Sequence, residues 1–250
     1  MNEDLKNLSR IEFVETLACT GHCRHCSEGE HINCRDHLKG ETGATAVNEV
    51  CSRYRIDSLM IFGGEPLLFA DDVCKIFEAA TVNKIPKREI ITNGFFSKNK
   101  DRIAEITKML ALSGVTYVLL SVDAFHQETI PIEPVLYFAE CIREQNVEIK
   151  LSPAWLVSRE DNNPYNVKTR EVLKVFIDEG FETADGNVIW PEGNARIYLA
   201  EYFKDTTGFV NPYEDDPTDI RAISFNPNGD ILGGNIYRQP VLEIMEAYKP

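Results

Sequence analysis

The chain has 250 residues, of which 43% are hydrophobic and 26% charged, with a formal net charge of −14. That size and composition fit one large globular domain able to bury a proper core. The acidic balance excludes a phosphate backbone as main partner, because nucleic-acid binding rests on a dense set of Lys and Arg contacts. No apolar run approaches the ~18 to 20 residues that span a bilayer, and MNEDLKNLSR has no apolar signal core, so the expectation is a cytoplasmic protein without a membrane partner.

In chain order, short β-rich runs alternate with amphipathic stretches, the pattern of repeated βα units around a parallel sheet. The predicted strands are Glu12 to Leu17, Ser58 to Phe62, Glu89 to Thr92, Tyr117 to Val122, Val147 to Leu151 and Asn187 to Trp190. Each is short, apolar and often β-branched, as a buried parallel strand should be. Helical spacing predicts helices over Asp71 to Asn83, Asn99 to Leu112, Glu133 to Gln145 and Thr169 to Glu179. Six such units are too few for a closed eight-unit barrel, so the expectation is an open, partial one through residue 203. From residue 204 to 250 the pattern changes: TTGFVNPYEDDPTD reads as loop, RAISFNPNGDIL as two short strands around a Pro-Asn-Gly turn, and Val241 to Tyr248 as a last helix.

Seven cysteines without signs of an oxidising compartment suit metal binding better than disulfides. Cys51, Cys74 and Cys141 fall in helical segments, where a free cysteine is commonly a small buried apolar residue. Cys34 lies near the first cysteine loop and stays open. That loop, FVETLACTGHCRHCSEGEH, spaces Cys19, Cys23 and Cys26 as C-x3-C-x2-C directly after the first strand. Thiolates are soft ligands for iron–sulfur clusters and for zinc. A structural zinc wants four ligands at matched spacing, and His22, His25, His31 and Cys34 offer no partner pair of the usual kind.

The C-x3-C-x2-C loop at the end of a first strand resembles the signature of the radical SAM superfamily, whose fold is a partial (β/α)6 barrel. The resemblance implies an α/β fold of that TIM-like kind with a small C-terminal hairpin-helix extension. It also implies a [4Fe–4S] cluster on Cys19, Cys23 and Cys26 whose open iron binds S-adenosylmethionine (SAM). Gly63-Gly64-Glu65-Pro66 follows the second strand where the family has its "GGEP" turn; by resemblance Glu65 accepts from the methionine ammonium and the glycines permit close backbone approach. Thr92-Asn93 and Ser121-Val122-Asp123 end the next two strands and Ser152 the fifth, positions from which family members hold SAM. Taken singly, these segments also read as tight turns and helix caps. Trp155 and Trp190 read as core aromatics, the latter more strongly. His126, just past the fourth strand, reads as a capping or surface histidine that could also act in catalysis. Cys34 is a candidate hydrogen donor.

The tail ISFNPNGDILGGN resembles the start of the SPASM or twitch extension of peptide-modifying members, but Gly233-Gly234-Asn235 stands where a cluster cysteine is expected. With no cysteine after Cys141, a single cluster is expected. The implied chemistry is reductive SAM cleavage and hydrogen abstraction from a peptide or peptide-like substrate, or from a small metabolite such as a sugar or nucleoside, with a reductant such as flavodoxin or ferredoxin. A ferredoxin-like electron carrier and a zinc-stabilised interaction module are the rivals from other classes.

Overall fold

The computed structural model describes residues 2–30, 34–204 and 216–250; His31 and most of the predicted loop TTGFVNPYEDDPTD lie outside these. In chain order it has β1 (Arg10–Val14), α1 (Gly40–Cys51), β2 (Ser58–Phe62), α2 (Ala70–Val82), β3 (Lys87–Thr92), α3 (Lys100–Ser113), β4 (Tyr117–Leu120) and α4 (Ala124–Gln127). There follow α5 (Ile132–Glu144), β5 (Glu148–Leu151), β6 (Ala154–Trp155), α6 (Pro164–Asp178), β7 (Glu182–Thr183), β8 (Asn187–Val188) and α7 (Gly193–Tyr198). Last come β9 (Ala222–Phe225), β10 (Asp230–Ile231), β11 (Gly234–Asn235) and α8 (Val241–Ala247). Among the described residues no helix is long and apolar enough to cross a membrane.

Seven strands form one parallel sheet in the order β7-β5-β4-β3-β2-β1-β9. Helices cover one face, where Ile11, Phe13, Leu59, Ile61, Ile90, Val118 and Leu120 join the core with Val47, Val73, Phe77, Ile106 and Phe138. On the other face, at the amino ends of the strands, Arg10 binds Glu12 (2.5 Å) and Glu89 (3.4 Å), and Lys87 binds Glu89 (2.7 Å). Glu89 is 2% exposed, so its charge is tolerated by those two cations. This leaves the carboxyl ends of the strands, where loops converge, to form the site. Local signals set the element ends: Asn99 caps α3 by accepting from the amides of Asp101 and Arg102, and Gly114 in the left-handed region closes it.

Two expectations change. The predicted sixth strand, Asn187 to Trp190, does not join the main sheet; its first two residues pair with Ala154–Trp155, and the sheet position beside β5 goes to Glu182–Thr183. That strand is two polar residues long, so no apolar run marked it. In the tail, the two strands around Pro-Asn-Gly do not pair with each other: β9 runs parallel to β1 and β10 pairs with β11. The reason is apolar: Phe225 stacks on Phe13 at 4.7 Å, and Ile223 and Phe225 complete the core beside β1. α8 is tied to the same body through Val241 N–H to Glu49 (2.8 Å) and through Asn2, which donates to the carbonyls of Met245 (3.1 Å) and Tyr248 (2.8 Å).

Candidate active site

A cavity of about 450 Å³ opens at the carboxyl ends of the strands. Cys19, Cys23, Cys26, Cys34, Gly63, Gly64, Thr92, Asn93, Ser121, Asp123, His126 and Ser152 all line it, so the sequence-predicted residues converge on one place. Glu65 and Pro66 lie just behind that wall. Glu65 is fully buried, and Pro66 opens a single 3₁₀ turn as its first residue. Cys74 and Cys141 are buried away from the cavity in α2 and α5, and Cys51 is half-buried in α1.

The cysteine loop is shaped by its neighbours. Gly64 N–H donates to the Thr16 carbonyl and Glu65 N–H to the Ala18 carbonyl, each at 2.7 Å. Gly63 has φ of +141°, and a Cβ there would lie 2.4 Å from the Thr16 oxygen. The two glycines therefore let the β2 turn press on the cysteine loop itself, a closer approach than any the sequence suggested. From the other side, Gly193 (φ +52°) packs on the Ser27 and Cys26 carbonyls. Asn194 donates its backbone N–H to the Cys26 carbonyl (2.8 Å) and its side-chain amide to the Cys23 carbonyl (3.1 Å). Asn194 lies just past the predicted sixth strand, and its bond to the cysteine loop is visible only once the fold is known.

The thiols sit among N–H donors. Gly21 donates to Cys19 Sγ at 3.3 Å, Asn93 Nδ2 approaches the same sulfur at 3.5 Å, and the amides of Glu28 and Gly29 reach Cys26. Burial pushes the free Cys19 thiol up to about 11 and raises Cys23 and Cys26 as well. Three thiols in a partly dry loop, with donors aimed at sulfur, fit a soft metal cluster that would take their protons' place.

Glu65 is held rather than loose. Its Oε1 accepts from Leu67 N–H (2.9 Å) and Thr92 Oγ1 (2.7 Å), and Oε2 from Asn93 N–H (2.9 Å). Burial raises its pKa to about 7 against those donors. One lone pair of Oε2 remains for a ligand donor. Asp123 is spent completely: Oδ1 accepts from the amides of Phe125 (2.9 Å) and His126 (3.0 Å), Oδ2 from Ala154 N–H (3.0 Å) and His126 Nδ1 (2.8 Å). Burial alone would raise this carboxyl, but His126, then His25 and the amides, hold it well below the usual range. Asp123 is therefore a positioning group for α4 and for His126, with no lone pair left for a ribose.

His126 itself lines the cavity. It packs edge-on against His25 (4.8 Å between centroids), which the sequence offered only as an unpaired candidate zinc ligand. Burial lowers His25 to about 4, so its ring is neutral. Ligand atoms of Cys23, His25 and His126 lie within 4.8 Å of one another. Trp190, expected in the core, lines the cavity, whereas Trp155 is 4% exposed and donates Nε1 to the Asp185 carbonyl.

With that geometry in place, comparison with known proteins gives the class: residues 15–196 match the radical SAM superfamily, and the chain belongs to it. Its members are enzymes that use a [4Fe–4S] cluster and SAM. A curated relative is the "Probable GTP 3′,8-cyclase" of Methanocaldococcus jannaschii, 24% identical over 123 residues, covering 49% of this chain and 39% of that protein. The matched part thus spans about two fifths of that relative. Among solved structures, anSMEcpe with bound AdoMet superposes with a TM-score of 0.60 at 15% identity, covering 96% of this chain and 77% of that one. HydG, a maturase of the [FeFe]-hydrogenase, gives 0.51 at 15% identity over 85% of this chain and 47% of that one. Both share the fold.

Proposed function

We propose that this chain cleaves SAM reductively at a single [4Fe–4S] cluster held by Cys19, Cys23 and Cys26, and uses the product to abstract hydrogen from a peptide or peptide-like substrate. The carrying observation is that these three thiols, from one loop braced on both sides, line the cavity at the strand ends. When bound, the cluster and SAM together supply a 5′-deoxyadenosyl radical. The chain contributes the rest. Asn93 and Gly21 donate toward Cys19, Glu65 offers a buried acceptor for an ammonium, and Ser121 and Ser152 present hydroxyls at the rim. Asp123 fixes His126, whose ring lines the cavity. Cys34, on the same cavity, is the proposed hydrogen donor.

Support for a peptide comes from anSMEcpe with AdoMet and a bound peptide, which superposes at a TM-score of 0.59 and 15% identity over 96% of this chain and 80% of that one. The relative named as a GTP cyclase favours a small metabolite instead. Anaerobic reconstitution followed by dithionite and SAM tests the core of the reading. Wild type should yield 5′-deoxyadenosine, and Cys23→Ala should lose both the cluster absorbance and that product; a Cys23→Ala protein that still makes it sinks the assignment. A ferredoxin-like carrier would make none with an intact cluster, and a zinc module would be colourless.

A further inference from the structure

Cys23 belongs to two sets of metal-ligating side chains, and the two differ in spacing. Among the described residues, Cys23, His25 and His126 are the set of Cys, His, Asp or Glu side chains whose donor atoms all lie within 4.8 Å of one another; Cys19, Cys23 and Cys26 do not form such a set. Ligands at ~2.0 to 2.3 Å around one tetrahedral zinc stand about 4 Å apart or less, so a small side-chain rotation closes the first set on a single ion. The three sulfurs are spread more widely, as thiolates are when each holds its own iron of a cluster.

The second set is also prepared chemically. His126 Nδ1 lies 2.8 Å from Asp123 Oδ2. The carboxylate is the acceptor there, so Nδ1 carries the proton and Nε2 keeps the lone pair. A carboxylate that fixes one imidazole nitrogen and leaves the other for metal is the usual outer partner of a zinc-bound histidine. His25 Nδ1 is buried without a hydrogen-bond partner, a cost that a metal ion would remove. Phe125 packs on the His25 ring at 4.9 Å and gives the site an apolar wall. Two imidazoles and a thiolate suit Zn2+, whereas Mg2+ and Ca2+ want oxygen ligands. The set was hidden in sequence because His126 comes from α4, in a different βα unit.

We propose that Cys23, His25 and His126 bind one Zn2+ in the iron-free chain, with water as the fourth ligand. The Cys23 thiol proton passes to solvent as the Zn–S bond forms. The competition that follows, though not the zinc site, rests on the cluster reading above: one Cys23 sulfur cannot serve both metals, so iron enters only after zinc is withdrawn.

Anaerobic titration of the reduced, iron-free full chain with Co2+, a coloured stand-in for zinc, tests this. One Co2+ per chain should bind with a thiolate-to-cobalt charge-transfer band, which an equivalent of Zn2+ bleaches and Mg2+ does not. His25→Phe and His126→Gln should each weaken Co2+ binding at least roughly tenfold. Both should still take up four irons, since neither ring is a cluster ligand. They lie on different elements, so if one fails to fold the other still reads the site. Cys19→Ser should keep the Co2+ site and lose the cluster, whereas Cys23→Ser should lose both. Zinc bound beforehand should slow iron uptake severalfold in wild type and leave it unchanged in the two histidine variants. Unchanged Co2+ affinity in the histidine variants, a missing charge-transfer band, or Co2+ binding that needs Cys19 overturns the zinc site. Iron uptake indifferent to bound zinc overturns the competition. A wild type that binds Co2+ as described and holds four irons, but makes no 5′-deoxyadenosine, overturns the proposed function and leaves the zinc site standing.

Discussion

Gly64 and Ala18 meet backbone to backbone: a Cβ on residue 64 would lie 2.2 Å from the Ala18 carbonyl oxygen, and the next residue, Glu65, donates its N–H to that oxygen. The cysteine loop is thus seated on the turn after β2, and its shape is decided outside the loop.

Gly64→Ala should therefore lower iron content severalfold while leaving the helical circular-dichroism signal in place. Gly233→Ala is the matched control. It has a positive φ, +78°, which Gly64 lacks, and nothing lies within 4 Å of its Cβ position, so it should cost about 1 kcal/mol and no iron. Full iron occupancy in Gly64→Ala would refute the seating role.

Asp123→Asn should unsettle more than its neighbour. The wild-type carboxylate accepts four hydrogen bonds, and an amide would turn one donor against another. A loss of about 2–4 kcal/mol by urea unfolding is expected. The folded pKa is depressed, so the carboxylate's stabilisation is present above its ordinary value of 3.8 and is lost as pH falls through the folded value. The Asn variant should lack that acid-limb loss.

Glu15 gives the opposite sign. Both its oxygens are buried without a partner, and burial, then the nearby Asp72, push its pKa from 4.5 to about 9 against Lys39. A raised carboxyl favours the neutral form in the fold, so stability is highest below 4.5 and declines as pH rises toward about 9. Glu15→Met should flatten that decline and stabilise the protein by on the order of 2 kcal/mol near pH 8. Unchanged pH dependence of the unfolding midpoint would contradict this.

Phe225→Ala removes the ring stacked on Phe13 and should cost about 3–5 kcal/mol. Because β9 is a strand of the main sheet, the loss should appear in one cooperative transition. A separate low-temperature step confined to the tail would argue that β9 is merely appended.

Much of this was legible in sequence. β2 matches its predicted span, and β3, β4 and β5 lie inside or within two residues of theirs, because buried parallel strands write themselves as apolar runs. The C-x3-C-x2-C loop was legible because its ligands are local. What stayed hidden depends on partners distant in sequence. Glu182–Thr183 is too short and polar to announce a strand, and Ala222–Phe225 looks the same whether it pairs with β10 or with β1. Likewise, the sequence leaves Asp123 open between a residue that holds SAM and a helix cap; it caps α4, and only the distant Ala154 N–H shows that its remaining lone pairs are used too.

The pairing of β9 with β1 also sets an order of events in time. β1, the strand that leads into the cysteine loop, has an open edge until residues 222–225 have been made and can lie beside it. During synthesis the loop therefore hangs from an incomplete sheet edge, with β9 and its stacked Phe225 still to come. The edge of β1 is thus closed only once residues 222–225 have been made, and the sheet that carries the cysteine loop is complete only when its most C-terminal strand has docked.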